Sequence, residues 1–241
     1  LTNKNNFLKI KTRWDDSFSS GKGMMESVVL ERERVFCMKL IIFGATGQTG
    51  QELVKQAIDH GHEVTAFVRS PEKLTLRDER LHVVKGDVLD QEAVTSAVAG
   101  QEAVLTALGT ESLAYSGFLE RSLVRIVTAM KKQGVDRIGY VASAGVDDEL
   151  PGVQGMLAQR ILKNPLKDHR QAIALLQQAD LNYTVARPLR LLNGPLTGLY
   201  RQADTGVPED AKQINRADVA HFLLQAIETE DHIKSSVGLA E

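Results

Sequence analysis

Cysteine is nearly absent from this chain: Cys37 stands alone among 241 residues. One thiol builds no disulfide framework and no cysteine-based zinc site within a chain, and it fits a reducing, cytoplasmic setting. Aromatic residues are sparse at 5%, prolines number six, and the charges nearly cancel, with 29 Lys and Arg against 31 Asp and Glu. Without a basic excess there is no electrostatic footprint for nucleic acid. No apolar run approaches the roughly 18 residues of a membrane span. Residues 1–37 scatter Lys and Arg through a stretch with no continuous apolar core, so no secretory signal is read there. Neither nucleic acid nor a membrane is therefore expected as a partner. What is present, 43% hydrophobic and 25% charged residues, is an ordinary globular composition. A core of this size needs no metal or disulfide to hold it.

Residues 1–37 differ from the rest. Leu1–Lys22 is polar, rich in Asn, Lys and Ser, and Glu31, Arg32, Glu33 and Arg34 follow. The reading is an upstream extension outside the fold, then one domain over residues 38–241. An arm used in association is the other reading, and the residues do not choose between them. From Met38 the pattern alternates. β-branched and aromatic runs predict strands at Lys39–Phe43, Glu63–Val68, Leu81–Lys85, Ala103–Ala107, Arg137–Ala142 and Tyr183–Arg187, with a last short one at Val237–Ala240. Helical spacing predicts helices at Gln48–His60, Gln91–Ala99, Phe118–Gln133, around Asp168–Ala179 and at Arg216–Thr229. A further helix is expected to start at Ser70 as N-cap, with Pro71 at its first position. A loop is expected between the fifth strand and Asp168. Strands alternating with helices specify an α/β class, a Rossmann-type doubly wound parallel sheet in a single domain.

The strongest local signal is Gly44-Ala45-Thr46-Gly47-Gln48-Thr49-Gly50, which leaves a strand and opens a helix. That is the context a dinucleotide loop requires. Gly44 permits the tight turn, Gly47 lets backbone approach a pyrophosphate, and Gly50 lets helix and strand pack closely. The free N–H groups of the helix start then face the phosphates. At the end of the second strand an NAD enzyme places Asp or Glu on the ribose. Here Arg69 and Ser70 stand there, with Lys73 following. A guanidinium fork suits a 2′-phosphate, so NADP(H) is expected ahead of NAD(H). Asp87 and Val88 after the third strand are placed for the adenine, and Leu108 and Gly109 after the fourth for the nicotinamide ribose.

The usual carbonyl-reducing couple is missing. Tyr115, Tyr140, Tyr183 and Tyr200 are followed four residues on by Leu119, Ala144, Arg187 and Asp204, never by Lys. Ketone reduction needs a proton for the new alkoxide, so simple carbonyl substrates are disfavoured. Ser143 is the preferred polar group near the reacting atoms. His169, beside Asp168 at an expected helix start, reads as a cap or surface residue. Arg187 and Arg190 flank Pro188, either to grip an acidic acceptor or to form structural ion pairs. Asp147-Asp148-Glu149 reads as a solvated loop. His60, His62, His82, His221 and His232 show no metal-ligand spacing, and no metal is expected.

Seven stretches carry a likeness to a known group: GATGQTG at 44–50, HEVTAFVR at 62–69, VVKGDVLD at 83–90, AVAGQEAVLTALGT at 97–110, AMKKQGVDR at 129–137, SAG at 143–145 and GPLTGLY at 194–200. From Met38 to about Glu228 the chain resembles the atypical, NmrA-like short-chain dehydrogenases, and most of all the biliverdin-IXβ reductase/flavin reductase group. The resemblance implies an NADPH-dependent oxidoreductase that passes hydride to a flavin, a dissociable substrate, or to a bilin-like acceptor. It implies phosphate contacts from Gly44, Thr46, Gly47, Gln48, Thr49 and Gly50. It implies 2′-phosphate contacts from Arg69 and Lys73, adenine contacts from Asp87 and Val88, ribose contacts from Leu108 and Gly109, and Ser143 near the nicotinamide. The chain departs from the group where Leu189 replaces a histidine after Pro188, and where the loop after Ser143 is more acidic. The other implied function is an NmrA-like regulator that senses NADP(H) without turnover.

Overall fold

The structure, a computed structural model, describes residues 37–110, 113–150 and 152–241. The described fold forms one compact unit, Met38–Glu241. The extension expected over 1–37 lies, apart from Cys37, outside the described residues.

Met38–Glu241 opens with β1 (Lys39–Phe43), α1 (Gln48–Asp59), β2 (Glu63–Val68) and β3 (Leu81–Lys85). It continues through α2 (Gln91–Val98), β4 (Ala103–Thr106), α3 (Phe118–Gln133), β5 (Arg137–Val141), α4 (Gly152–Ile161), α5 (Lys163–Gln178) and β6 (Asn182–Pro188). Three short strands follow, β7 (Arg190–Leu192), β8 (Arg201–Ala203) and β9 (Gln213–Asn215), then α6 (Arg216–Thr229) and β10 (Ser235–Ala240). The main sheet runs β3-β2-β1-β4-β5-β6-β10-β8. Every pairing in it is parallel except that of β8 with β10. This is the doubly wound Rossmann architecture.

The pleat of β1 sorts the core. Ile41 and Phe43 join the cluster built by α2, α3 and α5. Leu40 and Ile42 join the one built by α1 and α6. Successive side chains of a strand point to opposite faces, so a run with no polar residue is required where both faces are covered. All four side chains are fully buried. In cores of this kind a Leu→Ala change costs about 2–5 kcal/mol.

Three expectations fail locally. Ser70 caps nothing with its side chain, and Pro71–Lys73 forms one 3₁₀ turn, so β2 reaches β3 without a full helix. α5 begins five residues earlier than its sequence pattern indicates, with Pro165 in its first turn, where the missing N–H is no loss. The loop expected after β5 contains α4. Gly152 and Gly155 sit in α4, and glycine weakens the helical pattern on which the expectation relied.

Candidate active site

β1 and β4 are sheet neighbours although β2 and β3 lie between them in sequence. The connections leave in opposite directions at this point, which opens a crevice beyond the carboxyl ends of the two strands. The glycine loop fills its floor. Gly44 has φ +78°, and a Cβ there would lie 2.6 Å from the Ala107 carbonyl oxygen. A Cβ on Gly50 would lie 2.1 Å from the Gly44 carbonyl oxygen, so only glycine lets α1 approach β1 this closely.

The start of α1 is built to meet an anion. Gly47 is its N-cap, no side chain caps it, and no acidic residue occupies the first turn. The Gly47 N–H donates to the Gly44 carbonyl at 3.0 Å, and the first helical bond runs from Gln51 N–H to the Gly47 carbonyl at 2.8 Å. The amides of Gln48, Thr49 and Gly50 precede that bond and have no helical acceptor. They present partial positive charge to the crevice.

Above this floor lies one open cleft of about 1620 Å³. Gly44, Thr46, Gly47, Gln48 and Thr49 line it, as do Arg69, Lys73, Val88, Leu108, Gly109 and Ser143. Arg69 and Lys73 are exposed, and neither makes an ion pair among the described residues. A Cβ on Gly109 would meet no protein atom within 4 Å, so the fold does not require that glycine. It leaves space for something else. Two of the expected residues stand off the lining. Gly50 acts through helix packing, and Asp87 is exposed with Oδ1 accepting the Leu89 N–H at 2.9 Å. Ser143 Oγ donates to the neighbouring Ala144 carbonyl at 3.0 Å. These features fit a dinucleotide: an uncapped helix start for the pyrophosphate, free cations at the β2 end, and a glycine-lined wall.

The sequence pattern misplaced His169. It lies inside α5 rather than at its start, and it lines the cleft. Its Nδ1 is 2.7 Å from the Tyr140 hydroxyl. Tyr140 is buried, and burial with the nearby Asp168 carboxylate raises its pKa, so the phenol keeps its proton. A protonated phenol can donate to Nδ1 or accept from it, and the ring hydrogen then sits on Nε2 or on Nδ1. Burial pushes the His169 pKa down to about 4, so the ring is neutral near pH 7. No spacing rule joins β5 to α5, and the pairing exists only in three dimensions.

Of the acidic loop, Glu149 differs from the solvated reading, and for Arg187 the ion-pair reading holds. Arg187 is 2% exposed, and its guanidinium donates to Glu149 at 2.6 Å and to the Ser236 carbonyl at 3.2 Å. The Glu149 side chain is 8% exposed, so it is not solvated. This is a buried structural ion pair, and Arg187 has no charge free for a ligand. Arg190, exposed on β7 and lining the cleft, remains available.

The histidines likewise converge in a way their spacing hides. His60 Nδ1 and His62 Nε2 reach the same Glu228 oxygen at 2.8 and 2.7 Å, a grouping with the ligand types of a metal site. Met38 N–H donates to His62 Nδ1 at 3.2 Å, so Nε2 carries the ring hydrogen and donates to Glu228. Burial works to raise the Glu228 carboxyl, but the hydrogen bonds from His60 and His62 outweigh it and bring it to about 2. The cluster ties the α1–β2 turn to α6. The GPLTGLY stretch is another internal tie. Asp218 accepts from Thr197 N–H at 3.0 Å and Gly198 N–H at 2.7 Å, and a Cβ on Gly194 would collide with Asn215.

Fold and cleft together define a dinucleotide-binding Rossmann protein. A profile of the NAD(P)H-binding family matches residues 44–230, and the chain belongs to that family. It is 26% identical over 205 residues to the photosystem II assembly factor Ycf39 of Synechocystis, covering 80% of this chain but only 59% of that relative's length. Among solved structures, a short-chain dehydrogenase/reductase from Veillonella parvula in complex with NADP superposes with a TM-score of 0.70. It is 25% identical, over 85% of this chain and 94% of the other. A Streptococcus pneumoniae chain assigned as an NADH-flavin reductase gives a TM-score of 0.68 at 25% identity, over 85% and 99%.

Proposed function

We propose that this protein is an NADPH-dependent oxidoreductase that passes hydride to a flavin or a similar planar conjugated acceptor. One observation carries the reading. The cleft runs without a break from Arg69 and Lys73 at the β2 end to Ser143, His169 and Arg190 on the other side. Its volume exceeds the roughly 300–1,000 Å³ of a typical single-ligand pocket, which leaves room for an acceptor beside the dinucleotide. The resemblance to an NADP complex supports the donor, and that to a chain assigned as an NADH-flavin reductase supports the acceptor class.

In this reading the loop and the start of α1 hold the pyrophosphate, and Arg69 and Lys73 hold the 2′-phosphate. Val88 packs on the adenine side with Asp87 at its rim, and Leu108 and Gly109 admit the ribose. The bound nicotinamide supplies the hydride. A flavin ring spreads the incoming charge and takes its proton from water, so neither a Tyr–Lys couple nor a charged histidine is required. The residues act by holding two flat rings in contact. Neutral His169 offers Nε2, and Ser143 a hydroxyl, to orient an amide or a ring carbonyl. Arg190 faces the acceptor side as the cation for a phosphate or carboxylate tail.

The test is NADPH oxidation followed by its near-ultraviolet absorbance, with FMN as acceptor and NADH as the control donor. Turnover that prefers NADPH is the expected result. Tight NADPH binding with no turnover on FMN, riboflavin or a bilin would overturn the reductase reading and make the chain a dinucleotide-sensing regulator.

A further inference from the structure

We propose that the outer face of α4 is a docking surface for an anionic lipid bilayer. Val153, Met156, Leu157 and Ile161 are 82%, 68%, 59% and 56% exposed. Steps of three, four and eight residues from Val153 put them on one stripe of the helix. The opposite side is also apolar, but it is used: Gly155 and Ala158 line the cleft, with Leu162 just beyond the helix end. α4 thus separates the cleft from solvent and turns a row of aliphatic side chains to water. The patch extends to Leu113 and Tyr115, both exposed. Asn164 donates to the Leu113 carbonyl at 3.0 Å, and Lys167 Nζ sits 4.6 Å from the Tyr115 ring centre, so this loop is held beside the α4–α5 junction.

The charges around the stripe select its occupant. Residues 150–167 hold Arg160, Lys163 and Lys167 and no Asp or Glu, in a chain of net charge −2. All three cations are exposed. Of the three acids just before this stretch, Asp147 and Glu149 pair with Arg187 and Asp148 with Arg170. A second copy of the chain would bring these cations against themselves across a two-fold axis. Aliphatic side chains offer no stacking platform for the bases of a nucleic acid. A bilayer with anionic headgroups satisfies both halves of the pattern. The aliphatic row enters the acyl boundary by about 5–10 Å while the cations stay among the headgroups. Such a helix lies in the interface, so it needs no membrane-spanning segment, and among the described residues no helix is long and apolar enough to cross a membrane. The absence of a spanning run therefore does not bear on docking of this kind, although it led the composition to exclude a membrane partner.

The full chain is tested by flotation with vesicles of phosphatidylcholine containing about one-third phosphatidylserine, and with pure phosphatidylcholine. Two double variants accompany it, Met156→Gln with Leu157→Gln, and Arg160→Glu with Lys163→Glu. None of these four side chains lines the cleft, so unchanged NADPH affinity certifies the fold of each variant. The expected result is salt-sensitive binding to the anionic vesicles only, weakened about tenfold or more by either pair. No binding to anionic vesicles, or binding that neither pair weakens, overturns the proposal. So does a concentration-dependent dimer abolished by the Met156 and Leu157 changes, because the face would then belong to a second copy. An acidic protein that captures the wild type better than the vesicles do would overturn it as well.

Discussion

The Tyr140 hydroxyl lies 2.7 Å from His169 Nδ1, joining the end of β5 to the middle of α5 at the wall of the cleft. Burial keeps the ring neutral with a pKa of about 4. A histidine that is neutral when folded takes up protons more readily when unfolded. Between about pH 6.5 and about pH 4 the unfolded chain therefore binds more protons, and this group's contribution is lost as pH falls through that window. Urea unfolding at about pH 7 and about pH 4.5 should show a smaller stability difference in His169→Gln than in the wild type. An equal difference would mean the ring is not held neutral.

In the proposed reaction a neutral His169 orients the acceptor and is not an acid. The rate on FMN should show no inflection near pH 6.5 from this residue. His169→Phe should slow turnover about tenfold, and Ser143→Ala only modestly. Complete inactivation by Ser143→Ala would show that its hydroxyl delivers a proton that water was expected to supply.

Arg69→Ala should weaken NADPH by about 10- to 100-fold, the range of a charged hydrogen bond worth about 1.5–3 kcal/mol, and leave NADH nearly unchanged. Titration of both dinucleotides by fluorescence measures the ratio. Equal losses would remove the 2′-phosphate role.

The glycines separate folding from binding. Gly50→Ala drives a Cβ into the Gly44 backbone and should cost about 2 kcal/mol or more, with α1 displaced and NADPH affinity reduced. Gly109→Ala meets no protein atom, so stability should hold or rise by about 0.5 kcal/mol while NADPH binding weakens. Unchanged NADPH affinity in Gly109→Ala would show that the ligand does not pass there.

Glu228→Gln removes the charge shared by His60 and His62. Because the carboxyl is depressed from 4.5 to about 2, its contribution is present above about pH 4.5 and lost as pH falls toward about 2. The variant should be less stable by about 1–3 kcal/mol at about pH 7, and its curve should converge on the wild type in acid. Parallel curves would show that the depression is absent. Stabilisation by added zinc in the wild type would show instead that the cluster holds a metal.

Much of this protein was legible because its signals are local. The run Lys39–Phe43, the glycines that follow it and the helix they open lie within some twenty consecutive residues. A strand buried on both faces and a loop that must turn sharply leave few residue choices. The position of Arg69 was legible for the same reason, one residue past a strand whose end is fixed by register, while its contact with a 2′-phosphate is a proposal.

What tertiary structure alone decided is every pairing between distant segments. Tyr140 with His169, Arg187 with Glu149, and His60 and His62 with Glu228 span 29, 38, 168 and 166 residues. Side-chain identity cannot tell a surface histidine from one locked to a buried phenol, because the partner is supplied by packing and not by spacing. α4 was hidden for a related reason. Its two glycines weaken the helical pattern, its apolar residues divide between cleft and solvent, and only the folded chain shows which side faces which.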